Sequence, residues 1–560
     1  MVKEKIKYQE WLENCKDEEL INQLKEMDEE QIVNSFYKEL SFGTGGLRGT
    51  IGAGSNRMNV YTVAKASQGL ANYLNATYLS PVVCIGYDSR IKSDVFSKTT
   101  AEVMAANGIK VLIYDRLLPV PTVSFAVRYY KASAGIMITA SHNPSKYNGY
   151  KVYGEDGCQI TTETAKSIFE YISKVDTFED IKYSRFEEEL LNGNIKYIEE
   201  SVLTEFIEMV KKQSVLFGDE IDKNVAIVYS PLNGTGREPV TRILKESGYS
   251  NITVVKEQEM PDGNFPTCPY PNPEIKEAMS LGIQYAEKEN ADLLLATDPD
   301  CDRVGIAVKN SEGNYQLLSG NETGLLLLDY VCSQRIKHNK MPSNPVMVKT
   351  IVTMDMAEEI AKHYCVQTVN VLTGFKFIGE QIGLLEKKSE EKRYIFGFEE
   401  SYGYLSGTYV RDKDAVDGAY LICEMYSYYA KRGITLIEKL DELYEKYGYY
   451  LNTLHSYEFD GAAGFSKMQN IMKIFRNDIH EGTIVSGKKV LKVLDYSNGI
   501  DNLPKSDVIK YLMENRCSIV VRPSGTEPKL KTYISVNAKD KQEAKRQEEL
   551  LSKEIEKYIF

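Results

Sequence analysis

The chain reads as an α/β protein: three tandem α/β domains with mixed, largely parallel sheets plus a smaller C-terminal α+β domain, arranged around a central cleft. Three observations predict this. The order strand, helix, strand, helix, strand occurs three times between Val82 and Tyr404. Each third strand runs into the most chemically unusual loop of its unit. After about Tyr450 the pattern changes to short strands and amphipathic helices. At roughly 150 residues per domain, 560 residues hold about four such units. They are expected at 1–205, 206–325, 326–450 and 451–560.

Residues 3–40 mix apolar and acidic positions at helical spacing, so a helical preface is expected with Trp11, Leu20, Ile21, Leu24 and Phe36 turned inward. Ser41–Asn59 follows, a glycine-rich stretch around Arg48. It reads as a loop whose glycines free backbone N–H groups to approach an anion, while the arginine forks onto phosphate. In the first unit the strands are VVCIGY from Val82, IKVLIY from Ile109 and Gly135–Thr139. The last breaks into a polar turn, SHNP, that ends at Asn148-Gly149. The second unit runs from Val225 through Ile252 to ADLLLAT at Ala291, and the third from Val346 through Thr368 to YIFGFE at Tyr394. CSIVVRPSGTEPKLKTYISV, from Cys517, is strand, polar loop, strand, and a charged helix closes the chain from about Lys539 to Ile559.

With 68 basic and 80 acidic residues the formal charge is −12, which argues against nucleic acid or an anionic membrane as the main partner. An anionic ligand then needs a local cluster of Arg and Lys. Nine scattered cysteines without a CxxC pair read as reduced thiols. The first residues carry charge and lack an apolar signal core, and no apolar run reaches the ~18 residues of a membrane span. A soluble, cytoplasmic protein is the expectation.

Ligand sites in parallel sheets lie at the carboxyl ends of strands, so the loops can be compared as chemistry. The first offers Ser141 beside His142, with Lys151 ten residues on, a place for a covalent nucleophile or for an ordinary polar turn. The second, Asp298-Pro299-Asp300-Cys301-Asp302-Arg303, sets three carboxylates at alternate positions, which suits a hard divalent ion such as Mg²⁺. Cys301 is read as packing. The fourth, Arg522-Pro523-Ser524-Gly525-Thr526, puts an arginine and two hydroxyls on a tight turn, as a phosphate monoester requires. The third supplies Thr373, Lys376, Glu399, Glu400, Ser401 and Lys413, acceptors beside lysines that fit a polyhydroxylated ligand with a charged end. Together these describe phosphoryl transfer on a sugar phosphate.

TASHNP with NGYK, DPDCDR, GFEESYGY and RPSGTEPK, in that order over nearly the whole chain, resemble the four signature loops of the α-D-phosphohexomutases. GTGGLRG at 43–49 and the length resemble the α-phosphoglucomutase branch, which also includes phosphopentomutases. The resemblance implies that Ser141 carries a phosphoryl group and, with Asp298, Asp300 and Asp302, holds Mg²⁺. Arg48 and Lys151 would lie near the reacting hydroxyl, with Lys151 as acid or base and His142 shaping the loop or assisting it. Glu399 and Ser401 would grip sugar hydroxyls, and Arg303, Thr373 and Lys413 would make other substrate contacts. Arg522, Ser524, Gly525 and Thr526 would cradle the non-reacting phosphate. Cys301 stands where the family commonly has a small residue.

The implied reaction interconverts glucose 1-phosphate and glucose 6-phosphate through glucose 1,6-bisphosphate, which also primes the serine. Partners would be small-molecule sugar phosphates, and the protein a monomer or homodimer. Phosphopentomutase or phosphomannomutase activity is the rival within this chemistry, since nothing in the loops fixes C2 stereochemistry or ring size. An aspartyl phosphatase would want a DxDxT-like loop after the first strand, whereas Asp302 is followed by Arg303 and Val304. A non-catalytic sugar-phosphate sensor could lose the serine or a carboxylate, and none is missing.

Overall fold

The computed structural model describes residues 2–43, 45–459, 461–500, 503–523 and 529–560. Its opening helices are Val2–Asn14, Glu18–Glu26 and Glu29–Phe36, and the second and third owe their starts to charged caps. Asp17 accepts from the Leu20 N–H, and Asp28 forms a capping box with Gln31. Trp11, Leu20, Leu24 and Phe36 are buried, while Ile21 is only partly so. The Trp11 ring meets Phe178 edge-on at 5.5 Å, which seats the preface on the first unit.

One plan recurs in three sheets. Val82–Tyr87, Ile227–Ser230 and Val346–Thr350 are the central strands. Each is flanked in parallel by the two strands that follow it. These are Lys110–Ile113 and Ala134–Ile138 in the first sheet, Ile252–Val254 and Leu293–Thr297 in the second, and Gln367–Val371 and Tyr394–Glu399 in the third. The third strand of each set is wholly buried, as expected where helices cover both faces. Each then turns back into an antiparallel strand: Tyr147–Gly154, Val304–Lys309 or Gly403–Leu405. The reversal contains one non-glycine residue in the left-handed region, Ser141 (φ 53°), Cys301 (φ 52°) or Tyr402 (φ 64°). Such a conformation persists only where its surroundings impose it.

The fourth sheet is antiparallel throughout, in the order Tyr449–Glu458, Lys529–Ala538, Cys517–Pro523, Ile509–Met513, Lys488–Asp495, Ile484–Val485. Helices Gly461–Asp478 and Lys541–Ile559 pack on it around a core of its own. A larger apolar cluster runs continuously from Val123 through Tyr229 and Phe398, and reaches the fourth unit only through a few residues such as Tyr450 and Tyr533. The points 205, 325 and 450 fall inside helix Glu200–Lys211, helix Gly320–Lys337 and strand Tyr449–Glu458, respectively. No described helix is long and apolar enough to cross a membrane.

Two expectations are corrected. Asn148 and Gly149 do not end a turn but lie within strand Tyr147–Gly154. The glycine-rich segment is not a loop of free N–H groups either, because Gly46–Thr50 pairs antiparallel with that strand, Gly46 opposite Lys151 and Arg48 opposite Gly149. Here glycine serves close approach. A Cβ on Gly46 would stand 1.8 Å from the Tyr150 carbonyl oxygen, and one on Gly149 2.5 Å from that of Thr139.

Candidate active site

The buried strand Ala134–Ile138 delivers Ser141 into the seam between the first and second units, where it is 3% exposed. Its Oγ donates to Asp298 Oδ2 at 2.8 Å and lies 3.1 Å from His142 Nδ1. Thr139 Oγ1 accepts the Ser141 N–H at 2.8 Å and donates to Asp300 Oδ2 at 3.1 Å, so it ties the serine turn to the second unit's loop. Burial, aided by the charges of Arg303 and Arg48, pushes the His142 imidazole well below its ordinary range and keeps it neutral. Among the described residues no carboxylate bonds that ring, so it lacks the partner a hydrolase triad requires.

Asp298, Asp300 and Asp302 are all fully buried, and their oxygens lie within 4.8 Å of one another. Backbone N–H groups of Asp302 and Arg303 donate to Asp298 Oδ1 at 3.0 and 2.9 Å. Lys151 Nζ lies 2.9 Å from Asp300 Oδ2 and 3.3 Å from Asp302 Oδ2, and Lys413 Nζ is 3.3 Å from the latter. Burial and the Asp300 and Asp302 charges drive the Asp298 carboxyl well up; for Asp300 burial acts the same way, but Lys151 prevails and holds it low. Asp300 Oδ1 and Asp302 Oδ1 are buried without a hydrogen-bond partner among the described residues. Oxygen donors converging with unspent acceptor capacity fit a hard divalent cation. The Cys301 thiol, fully buried and pushed up chiefly by that burial, stays protonated and packs.

A cleft of about 920 Å³ opens beside this centre. Arg48, His142, Arg303, Thr373, Glu399, Ser401, Lys413 and Arg522 all line it, so side chains from all four units face one space. A second lobe of about 680 Å³, reached past Arg48 and Thr373, is lined by Lys151 and Lys376. Arg48 Nη1 donates to Asn143 Oδ1 at 3.2 Å, and Arg303 pairs with Glu274. Glu399 Oε1 accepts the Gly374 N–H at 3.0 Å, while Oε2 is 3.9 Å from Lys413. Burial raises the Glu399 carboxyl to about 7 against the pull of Lys413. Thr373 Oγ1 is buried without a partner among the described residues, one more group with a bond to give a ligand. Ser524, Gly525 and Thr526 lie outside the described residues. Sequence reasoning missed Glu274, Lys529 and Lys531, which line the cleft, and the buried pair Asp88 and Arg90 beneath the serine loop. The lysines carried a signal, since they alternate along the strand that leaves the expected phosphate loop.

Models of the phosphoglucomutase/phosphomannomutase alpha/beta/alpha domains I, II and III match residues 39–179, 204–313 and 319–447, and the family's C-terminal domain matches 478–553. The chain belongs to the phosphoglucomutase/phosphomannomutase family. It lies within the α-D-phosphohexomutase superfamily, near its phosphoglucomutases. A phosphoglucomutase of Staphylococcus saprophyticus is 39% identical over 542 residues, covering 95% of this chain and 96% of that one. One from Staphylococcus aureus is 36% identical over 543 residues, covering 95% of each. Among solved structures, parafusin (phosphoglucomutase) from Paramecium, in an open form, superposes with a TM-score of 0.70 at 18% identity, covering 93% of this chain and 96% of its own. That likeness shows the family fold of three α/β domains and a C-terminal domain.

Proposed function

We propose that the protein interconverts glucose 1-phosphate and glucose 6-phosphate by phosphoryl transfer through Ser141, with glucose 1,6-bisphosphate as the intermediate. The observation that carries this reading is the 2.8 Å contact of Ser141 Oγ with the Asp298 carboxylate at the edge of a cleft lined by all four units. Relatives named phosphoglucomutase at 36–39% identity across nearly the whole chain support it.

In one half-reaction the bond from phosphorus to the sugar oxygen breaks and a bond to Ser141 Oγ forms. The serine proton leaves to the freed sugar oxygen, with Lys151, on the rim of the second lobe, as the relay. The reverse step at the other end of the sugar precedes it: the bond from phosphorus to Ser141 Oγ breaks, one to the sugar hydroxyl oxygen forms, and the bisphosphate results, so the two halves together restore the phosphoserine. Glu399 and Ser401 accept sugar hydroxyls, Arg303, Thr373 and Lys413 complete that grip, and Arg522 with the loop after it holds the phosphate that is not reacting. Arg48 closes on the reacting phosphate. Asp298, Asp300 and Asp302, with Ser141, would hold a divalent cation; magnesium suits their hard oxygens and would draw charge from the phosphoryl group.

The test is coupled turnover of glucose 1-phosphate against mannose 1-phosphate and ribose 1-phosphate, with trace bisphosphate, with and without magnesium. Glucose 1-phosphate is expected to be preferred, with activity lost on chelation. Ser141→Ala should reduce kcat by about 10³-fold or more. Wild-type turnover in that variant would overturn the covalent scheme, and preference for the pentose would overturn the substrate assignment.

A further inference from the structure

The serine loop is shaped from beneath by a side chain that lines neither lobe of the cleft. Arg90 lies just past the central strand Val82–Tyr87 and is 3% exposed. Its Nη1 donates to the carbonyl oxygens of Pro144 and Tyr147 at 3.0 Å each, its Nε donates to that of Ser141 at 3.2 Å, and its Nη2 donates to those of Ser141 and Asn143. Asp88 seats the guanidinium. Its Oδ2 is 3.5 Å from Arg90 Nε, and its Oδ1 accepts the Arg90 backbone N–H at 3.0 Å. The guanidinium carbon lies over the Phe265 ring of the second unit, 5.1 Å from its centre. Nearby, a Cβ on Gly263 would come within 2.5 Å of the Ile91 nitrogen, so the two units touch backbone to backbone at this point.

A planar fork with five donors can turn several carbonyls toward one point, which the ammonium of a lysine cannot do. In a trans peptide the N–H of the next residue points the opposite way. Drawing the Ser141 carbonyl down to Arg90 therefore turns the His142 N–H away from it. The same pull supplies the external constraint that the left-handed backbone of Ser141 requires.

We propose that Arg90 is the positioning residue for Ser141, holding the serine turn in the conformation that aims Oγ at Asp298, with Phe265 making that setting depend on the docked second unit. The inference rests on the reading of Ser141 as phosphoryl carrier. Arg90 lines neither lobe of the cleft, so its loss should slow transfer and spare affinity.

The experiment compares wild type with Arg90→Lys in two measurements. One is the single-turnover rate of transfer from radiolabelled glucose 1,6-bisphosphate to Ser141, and the other is the calorimetric affinity for glucose 6-phosphate. Transfer should slow by about 10²-fold, the cost typical of a misplaced reacting group, with affinity held within about threefold. A rate within about threefold of wild type overturns the assignment. So does a loss of rate and affinity together in proportion to the folded fraction, because that is what a purely structural arginine would give. If Arg90→Lys does not fold, Asp88→Asn carries the same test with the shape kept. About tenfold slower transfer at unchanged affinity is expected, and an unchanged rate overturns the assignment. A wild type that takes no label at Ser141 refutes the phosphoserine reading itself; a labelled wild type matched by an equally fast variant refutes only the role of Arg90.

Discussion

Glu399 is where burial and charge meet the proposed grip on sugar hydroxyls in one side chain. Its carboxyl is raised to about 7 by burial, with Lys413 opposing, so it gains its charge as the pH climbs through that value. Only the ionised form offers both oxygens to sugar hydroxyls. Between pH 6 and 8, kcat/KM of the wild type should rise more steeply than that of Glu399→Gln, which should lack the inflexion near 7. At pH 8 the variant should also be about thirtyfold lower, the loss of about 2 kcal/mol from a charged hydrogen bond. Glu399, Ser141 and the three aspartates were legible in the sequence because each stands at, or just past, the carboxyl end of an apolar strand. Arg90 was not, although it too follows a strand. Its partners are backbone carbonyls, which every residue has, so no side-chain pattern announces them.

Among the elements, helix Ala415–Ala430 carries the most unusual chemistry. It starts from Asp414, whose Oδ1 accepts the Val416 N–H at 2.8 Å, and buries two more acids along its length. Glu424 accepts from the Val215 N–H and the Tyr330 hydroxyl at 3.0 Å each, and also from Ser214. Burial raises Glu424 to about 7 and Asp417, with Asp414 close by, to about 8. The folded protein thus keeps protons that the unfolded chain releases between about pH 4.5 and 8. Over that window these two groups make stability fall as the pH rises, each by at most about 1.4 kcal/mol per pH unit. Glu424→Gln preserves the bonds of the protonated acid, so denaturant unfolding followed from pH 5 to 8 should show a flatter slope in the variant. Helices and strands of this kind were readable from periodicity. The segment Gly46–Thr50 was misread because glycine marks free backbone and tightly apposed backbone alike.

At the scale of the whole molecule the units are joined by buried ion pairs. Asp355 in the third unit lies 3.0 Å from Lys349 and 3.1 Å from Lys510 of the fourth, and it accepts from Ser518 at 3.1 Å. Burial works against its charge, yet the two lysines hold its carboxyl well below the usual range. Asp355→Ala leaves buried Lys510 without its carboxylate and Lys349 with Glu358 alone, so a loss of about 3 kcal/mol is expected in urea unfolding. A cation bound only by the folded protein adds to stability by mass action. Magnesium at about 100 times its Kd should raise the unfolding free energy by about 2.7 kcal/mol, and Asp300→Asn should abolish most of that gain. None of this mutual placement could be read from local sequence, because it depends on which surfaces of separate sheets meet.

The serine and the aspartate it touches are 157 positions apart in the chain and belong to different sheets. Neither sheet alone contains anything able to turn over a sugar phosphate. Activity is therefore a gauge of the seam rather than of either half. A mild denaturant that parts the two sheets by the length of one hydrogen bond should silence the protein while every helix and strand survives. Loss of turnover ahead of any change in circular dichroism would be the signature of a machine disassembled without being unfolded.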